Sequence, residues 1–128
     1  MEFVAIVIIL ALIQYFLFAS SAGAARAKYE IEAPATTGHP DFERKLRVQQ
    51  NTLEQLVIFI PSIWFFGLYV SPFIAGLLGI AFIVGRFVYG KSYVAEPSQR
   101  TVGFMITFAS EAILAIGALI GAIVRWLA

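Results

Sequence analysis

Polar side chains that could bind an anionic ligand recur at helical spacing near the middle of the chain. The four members of this set are Arg44, Arg47, Asn51 and Glu54. They are three, four and three residues apart, which places them on one stripe of a helix at about 100° per residue. The next residues, 55–70, carry no charge, so the same helix enters a bilayer. Polar groups are costly there, which indicates that they pair with one another or bind a ligand.

A second polar set lies at the end of the next apolar stretch. Arg86, Tyr89 and Tyr93 are again three and four residues apart, and Arg100 follows a Glu-Pro-Ser break. In an antiparallel bundle both sets reach the same membrane depth. One alternative is a structural network, in which Glu54 pairs with an arginine of a neighbouring helix. The excess of arginines over acids favours instead an anionic ligand, such as one with two carboxylates and one ammonium group.

The elements that position these residues are predicted to be four membrane-spanning helices. Of the 128 residues, 60% are hydrophobic and 13% are charged, which is outside the usual range of soluble proteins. Proline and glycine breaks divide the apolar sequence into helices at about residues 3–25, 41–70, 72–93 and 98–126, each long enough to span the hydrocarbon core. Glu96 or Ser98 is expected to cap the fourth helix. We therefore predict an all-α integral membrane four-helix bundle, with residues 1–128 as a single domain.

Isolated polar residues inside the predicted helices are expected to face other helices. Gln14 would otherwise lack a hydrogen-bond partner in lipid. Glu111 is interpreted as a neutral or paired carboxyl that faces the bundle rather than as a site residue. Gly117 and Gly121 form a GxxxG pair that permits close helix packing. The chain has no cysteine and a single histidine, His39 in a turn, which argues against a metal site and against catalysis by cysteine or histidine.

The distribution of positive charge predicts the orientation in the membrane. Of nine Lys and Arg residues, only Arg125 lies opposite the side that carries the first and third connections. The positive-inside rule therefore places those connections in the cytoplasm and both termini on the non-cytosolic side. The net charge of +1 leaves no basic patch for nucleic acid, so no nucleic-acid partner is expected.

The two polar segments together carry a family resemblance. The first reads E-R-x-x-R-x-x-x-N-x-x-E, and the second is GRFVYGKSYVAEPSQR. Over nearly its whole length the chain resembles the membrane-associated proteins in eicosanoid and glutathione metabolism (MAPEG). It is most similar to the branch that contains microsomal glutathione transferase 2 and leukotriene C4 synthase. The fixed positions of the first segment are filled by Glu43, Arg44, Arg47, Asn51 and Glu54.

The resemblance implies a homotrimer that holds glutathione, as co-substrate, between adjacent protomers near the cytosolic face. Arg100 matches the residue that stabilises the thiolate, and Glu43, Arg44 and Arg86 would support the site. The implied reaction adds the thiolate to lipophilic electrophiles that arrive through the membrane lipids. A peroxidase activity toward lipid hydroperoxides is a further option, and no metal is implied. The implied glutathione-binding residues are Arg26, Arg47, Gln49, Asn51, Glu54, Tyr89 and Tyr93.

Two departures from leukotriene C4 synthase favour a general detoxifying transferase. Gln55 stands where that enzyme has a tyrosine, and Ala27 stands where it has a second consecutive arginine. The family also contains a non-catalytic scaffold that presents lipids. That alternative is less favoured because its glutathione positions are degraded and those of this chain are intact. An ion-conducting bundle is disfavoured because no ring of like charges crosses the predicted membrane.

Overall fold

The computed structural model describes all 128 residues and contains four long helices and no strand. They are α1 (Glu2–Lys28), α2 (Pro40–Tyr69), α3 (Pro72–Ala95) and α4 (Thr101–Leu127), with a short 3-10 turn at Pro97–Gln99 before α4. All four helices are long and apolar enough to cross a membrane. The predicted all-α fold class is confirmed. Helix α1 continues to Lys28 rather than ending near residue 25, so Arg26 belongs to its last turn and not to the connection.

Contacts near the helix ends show that sequential helices run antiparallel. Gly67, near the end of α2, packs against Met1, which precedes α1, and Gly103, near the start of α4, packs against Tyr89 of α3. Gly121, near the end of α4, packs against Tyr69 at the end of α2. Both termini therefore lie at one end of the bundle, the terminal end. The connections at residues 29–39 and 96–100 lie at the other, the loop end.

An apolar core holds the helices together along the middle of the bundle. The rings of Phe59 in α2 and Phe82 in α3 stack with centroids 3.9 Å apart, and both side chains are fully buried. Around them pack Val7 of α1 and Leu114 of α4. Gln14 donates to the carbonyl oxygen of Ile83 at 2.9 Å, which confirms that it faces another helix.

The outer surface of the bundle is apolar on every helix. Phe16, Val57, Phe73 and Phe108 are among many large apolar side chains that are more than half exposed. A water-soluble monomer rarely exposes contiguous apolar surface on this scale. The surface instead matches contact with lipid or with other transmembrane helices.

Local signals explain where α2 and α3 begin. His39 precedes α2, and its Nδ1 atom accepts a hydrogen bond from the backbone N–H of Asp41 at 3.1 Å, while its ring stacks on Tyr29 at 3.7 Å. Ser71 caps α3 by accepting from the backbone N–H of Ile74. The capping prediction for α4 was wrong. Neither Glu96 nor Ser98 caps it, because the 3-10 turn intervenes and Arg100 occupies the N-cap position without a side-chain cap.

Small residues on α4 allow close approach to both of its neighbours. Gly117 packs under the Phe66 ring of α2, so the predicted use of the GxxxG pair in helix packing is confirmed. Closer to the loop end, a Cβ atom at Gly103 would overlap the backbone nitrogen of Tyr89 in α3. The backbones of α3 and α4 therefore touch at this point, which brings the polar end of α3 directly beside the start of α4.

We expect the loop end and the terminal end to lie on opposite sides of the membrane. Single cysteines at Thr36, in the first connection, and at Ala128, at the terminus, should react with a membrane-impermeant maleimide from opposite sides of sealed vesicles. The parent chain lacks cysteine, so it gives the background, and detergent-opened vesicles should label at both positions. Labelling of both cysteines from the same side would contradict the four-span topology.

Candidate functional site

A polar cleft at the loop end brings together five of the predicted site residues. Its volume is about 530 Å³. Helix α2 contributes two of the lining residues, α3 two and the start of α4 three. The lining residues are Arg47, Asn51, Tyr89, Tyr93, Arg100, Thr101 and Phe104.

Arg47, on the α2 wall of the cleft, forms a charged pair with Glu54, which is not itself among the lining residues. Arg47 Nη1 donates to Glu54 Oε1 at 3.1 Å, and the side chains are 48% and 60% exposed. The structural alternative, in which Glu54 pairs with an arginine of a neighbouring helix, is not what this chain shows. Two helical turns separate the residues on the same face of α2, so the pair forms within one helix. Arg44, on the same stripe, instead donates to the carbonyl oxygen of Val94 at 3.3 Å and ties α2 to the end of α3.

Behind the cleft, a buried hydrogen bond fixes the orientation of Asn51. The guanidinium of Arg86 is completely buried, and its Nη1 atom donates to Asn51 Oδ1 at 2.8 Å. Because that bond occupies the amide oxygen, the amide nitrogen is left as a donor. Arg86 makes no salt bridge within the chain, and its Nε and Nη2 atoms have no hydrogen-bond partner. Arg86 thus ties α3 to α2 at the depth of Asn51, and its support of the site stays a prediction.

The α3 wall of the cleft consists of two tyrosines. Tyr89 is buried against the Arg86 guanidinium, which lies 4.2 Å from the centre of its ring. The rings of Tyr89 and Tyr93 are stacked with centroids 5.7 Å apart. This arrangement fixes the ring positions.

The α4 wall contains one residue that the sequence predicted and two that it did not. Arg100 occupies the N-cap position, and its Nη1 atom donates to the carbonyl oxygen of Pro97 at 3.0 Å. Thr101 and Phe104 also line the cleft but were missed. The available signal was the position of Phe104, which lies four residues after Arg100 and three after Thr101, spacings that bring side chains together on a helix surface.

Three other predicted residues lie outside the cleft of this chain. Arg26 donates to the carbonyl oxygen of Ala35 at 2.9 Å and lies over the Phe42 ring. Gln49 projects from a different face of α2, and its amide nitrogen lies 3.5 Å from the hydroxyl oxygen of Tyr15 in α1. Glu43 accepts from the backbone N–H of Gly38 and closes the first connection.

Glu111 lies deeper in the membrane region and apart from the cleft lining. It is buried in α4. With the amide of Gln55 turned so that its nitrogen faces α4, that nitrogen donates to Glu111 Oε2 at 2.5 Å and to Oε1 at 3.2 Å. This orientation of the Gln55 amide is the one that satisfies the hydrogen bonds around it. This geometry agrees with a paired carboxyl that faces the bundle.

The chemistry of the cleft is that of an anion-binding site with one acidic edge. Two guanidinium groups, an amide nitrogen and two phenol hydroxyls can donate hydrogen bonds, and Glu54 can accept from a positively charged group. Arginine is suited to planar, bidentate recognition of carboxylates. No group of three or more His, Asp or Glu side chains lies close enough to hold a metal ion. A peptide-like ligand with several carboxylates and one ammonium group fits this set of donors and acceptors.

Comparisons with a family model and with individual proteins point to the same family. The MAPEG family model matches residues 4–120. The chain is 46% identical over 116 residues to an uncharacterized protein of Synechocystis, covering 91% of this chain and 85% of that protein. It is 41% identical over 119 residues to microsomal glutathione S-transferase 2 of Homo sapiens, covering 93% and 79%. Leukotriene C4 synthase of Bos taurus is 33% identical over 76 residues, covering 59% and 51%.

Loss of the Asn51 side chain should destabilise the bundle through Arg86. We expect Asn51→Leu to lower the free energy of unfolding by about 3 kcal/mol, because a buried cation loses its hydrogen-bond partner. Titration with sodium dodecyl sulfate, followed by circular dichroism, would measure the change. The double variant Asn51→Leu/Arg86→Met removes the cation as well and should recover much of the stability. Equal stability of Asn51→Leu and the parent would contradict the dependence of Arg86 on Asn51.

Proposed function

The chain belongs to the MAPEG family, and from that premise we propose that it is an integral membrane glutathione transferase. It conjugates the thiolate of glutathione to lipophilic electrophiles that reach it through the bilayer. The single observation that carries the proposal is the cleft, in which Arg47, Asn51, Tyr89, Tyr93 and Arg100 meet. The names of the relatives support glutathione as the ligand.

Glutathione has the functional groups that the cleft can bind. It carries two carboxylates, one ammonium group and a thiol. In this proposal Arg47, Asn51 and the tyrosine hydroxyls hold carboxylate and amide oxygens, while Glu54, paired with Arg47, receives the ammonium group. The Arg47–Glu54 ion pair keeps both groups in position before the ligand binds, which reduces the entropy lost on binding.

The positions of Arg26 and Gln49 support a site that is shared between protomers. Both residues lie outside the cleft of their own chain, and the resemblance assigns both to glutathione binding. In the homotrimer that we propose, they reach the cleft of an adjacent protomer. Glu54 and Arg47, about half exposed in one chain, would then be covered by the neighbouring subunit.

Activation of the thiol is the chemical step that the protein must provide. A free thiol has a pKa of about 8.5, so only a few per cent is thiolate at neutral pH. Lowering this value by about two units requires roughly 2.7 kcal/mol. A guanidinium about 4 Å from the sulfur supplies roughly 4 kcal/mol at an effective dielectric constant near 20.

Arg100 is the residue that we assign to the thiolate. It lines the cleft and precedes α4 directly, where the helix N-terminus adds a favourable term of the same sign. The thiolate attacks the electrophilic carbon, a carbon–sulfur bond forms, and an aryl halide substrate releases its halide ion. Tyr93 and Arg26 are the alternative donors to the sulfur. A lipid hydroperoxide is a second class of acceptor for the same thiolate.

The orientation that we propose places the cleft near the cytosolic face, where glutathione enters from water. The loop end carries eight of the nine Lys and Arg residues, and the cytosolic side is the one that retains such residues. The lipophilic electrophile would enter sideways from the bilayer, between helices of adjacent protomers.

Loss of either member of the Arg47–Glu54 pair should weaken glutathione binding. We expect Arg47→Ala and Glu54→Ala each to cost about 2 kcal/mol, a roughly thirtyfold increase in Kd, because each removes a charge-assisted hydrogen bond. Isothermal titration calorimetry in detergent would measure it. Lys45→Ala is the matched control, since Lys45 pairs with Asp41 away from the cleft and should leave the Kd unchanged. If the parent protein itself binds no glutathione, the transferase proposal is wrong and the function as a lipid-presenting scaffold takes its place.

Replacement of Arg100 should separate binding from chemistry. Arg100→Met should keep the Kd for glutathione within a few-fold of the parent and abolish the ultraviolet absorbance of the bound thiolate. Conjugation of a generic aryl halide at pH 7 should fall on the order of a hundredfold, the rate equivalent of 2.7 kcal/mol. Arg100→Lys, which keeps the charge, should recover part of the rate. A parental rate in Arg100→Met would show that another residue activates the thiol.

A further inference from the structure

A second cavity at the loop end is separate from the glutathione cleft. It has a volume of about 490 Å³ and lies among α1, α2 and α3, whereas the cleft lies among α2, α3 and α4. The two cavities share no lining residue. The residues that line it, called the lysine groove below, are Phe18, Ser21, Lys45, Val48, Phe87, Gly90, Lys91, Val94 and Ala95.

The floor of the lysine groove exists because α3 has no side chain at Gly90. A Cβ atom there would lie 3.1 Å from Phe18 of α1 and 3.2 Å from Val48 of α2. The three helices therefore pack closely beneath the groove, while its walls are apolar. Phe87, at the mouth, is 59% exposed. In a transmembrane bundle this exposed ring faces the surrounding acyl chains.

The charges of the groove have one sign. Lys45 and Lys91 are the charged members, and no acidic residue lines it. Lys45 is held by Asp41 at 3.2 Å. Lys91 makes no salt bridge within the chain, and its ammonium nitrogen lies 6.0 Å from the centre of the Phe87 ring. An apolar trough with a cationic rim is complementary to an anionic amphiphile.

Ser21 adds an unused hydrogen-bond donor. The hydroxyls of Thr52, Thr107 and Ser110 each donate to a backbone carbonyl one helical turn earlier. The Ser21 hydroxyl makes no hydrogen bond within the chain, although it lines the same groove as the two lysines. It is therefore available to an oxygen atom of a ligand.

We propose that the lysine groove binds an anionic phospholipid of the surrounding bilayer. The lipid phosphate pairs with Lys91 and Lys45 and accepts from Ser21, and an acyl chain lies along Phe18, Phe87 and Val94. Lys45 lies in the second turn of α2, and Lys91 lies just before the last turn of α3, which is the depth of lipid headgroups. Basic residues at that depth attract anionic lipids, each by roughly fivefold in affinity.

Native mass spectrometry of the purified full chain in detergent tests this proposal. The probes are phosphatidylglycerol and phosphatidylcholine with identical acyl chains. We expect the parent to retain phosphatidylglycerol about fivefold or more over phosphatidylcholine. Lys91→Gln and Lys45→Gln should each lower that retention several-fold, and Ser21→Phe should lower it by filling the groove. Arg125→Gln is the matched control, since Arg125 is an exposed basic residue at the terminal end and should leave retention unchanged.

Each other outcome would overturn the proposal. Equal retention of the two lipids would show that the lysines do not select for charge. An equal loss in Arg125→Gln, or full retention in Ser21→Phe, would indicate diffuse attraction to the surface rather than binding in the groove. Loss of oligomer mass in the lysine variants would make the groove an interface between copies of the chain. Lys45 and Lys91 lie outside the cleft, so their variants should bind glutathione like the parent. Glutathione titration of the same samples therefore separates failure of the lipid proposal from failure of the transferase proposal.

Discussion

The buried guanidinium of Arg86 is the constraint on which the loop end of the bundle depends. A charged side chain inside a transmembrane bundle is stable only where polar groups converge on it. Here Asn51 accepts its hydrogen bond and the Tyr89 ring lies against its face. Both partners also line the cleft. The requirement to stabilise one buried cation therefore fixes the positions of the Asn51 amide on α2 and the Tyr89 ring on α3. A small ligand in the cleft would contact groups that are already held in place.

The close contact between α3 and α4 is the second condition for the cleft. Gly103 has no side chain where the backbone of Tyr89 passes, so the start of α4 lies directly beside the tyrosines. A larger residue would move Arg100 and Phe104 away from the opposite wall. Packing of small residues thus controls the electric field inside the cleft, because the field of Arg100 falls with distance.

The cations at the loop end have different partners, and each partner indicates a different role for its cation. Arg86 is buried and bound to an amide, Arg44 is bound to a carbonyl, and Arg47 is paired with Glu54 at the cleft. Lys45 and Lys91 lie on another side of the bundle, at the lysine groove. The sequence shows all of these as one excess of positive charge, whereas in three dimensions they divide into structural ties, a polar cleft and a basic apolar groove.

The sequence by itself determined the helices and five of the seven residues that line the cleft. Long uncharged runs broken by Pro72 and Pro97 require spanning helices, since backbone groups in lipid must be satisfied within the segment. Helical spacing placed Arg47 with Asn51, and Tyr89 with Tyr93. Only the tertiary structure decided which partner each polar group takes, that Thr101 and Phe104 complete the cleft, and that Arg26 and Gln49 lie outside it. These choices depend on the rotation and closeness of neighbouring helices, which are set by contacts such as that of Gly103 with Tyr89, between residues far apart in the chain.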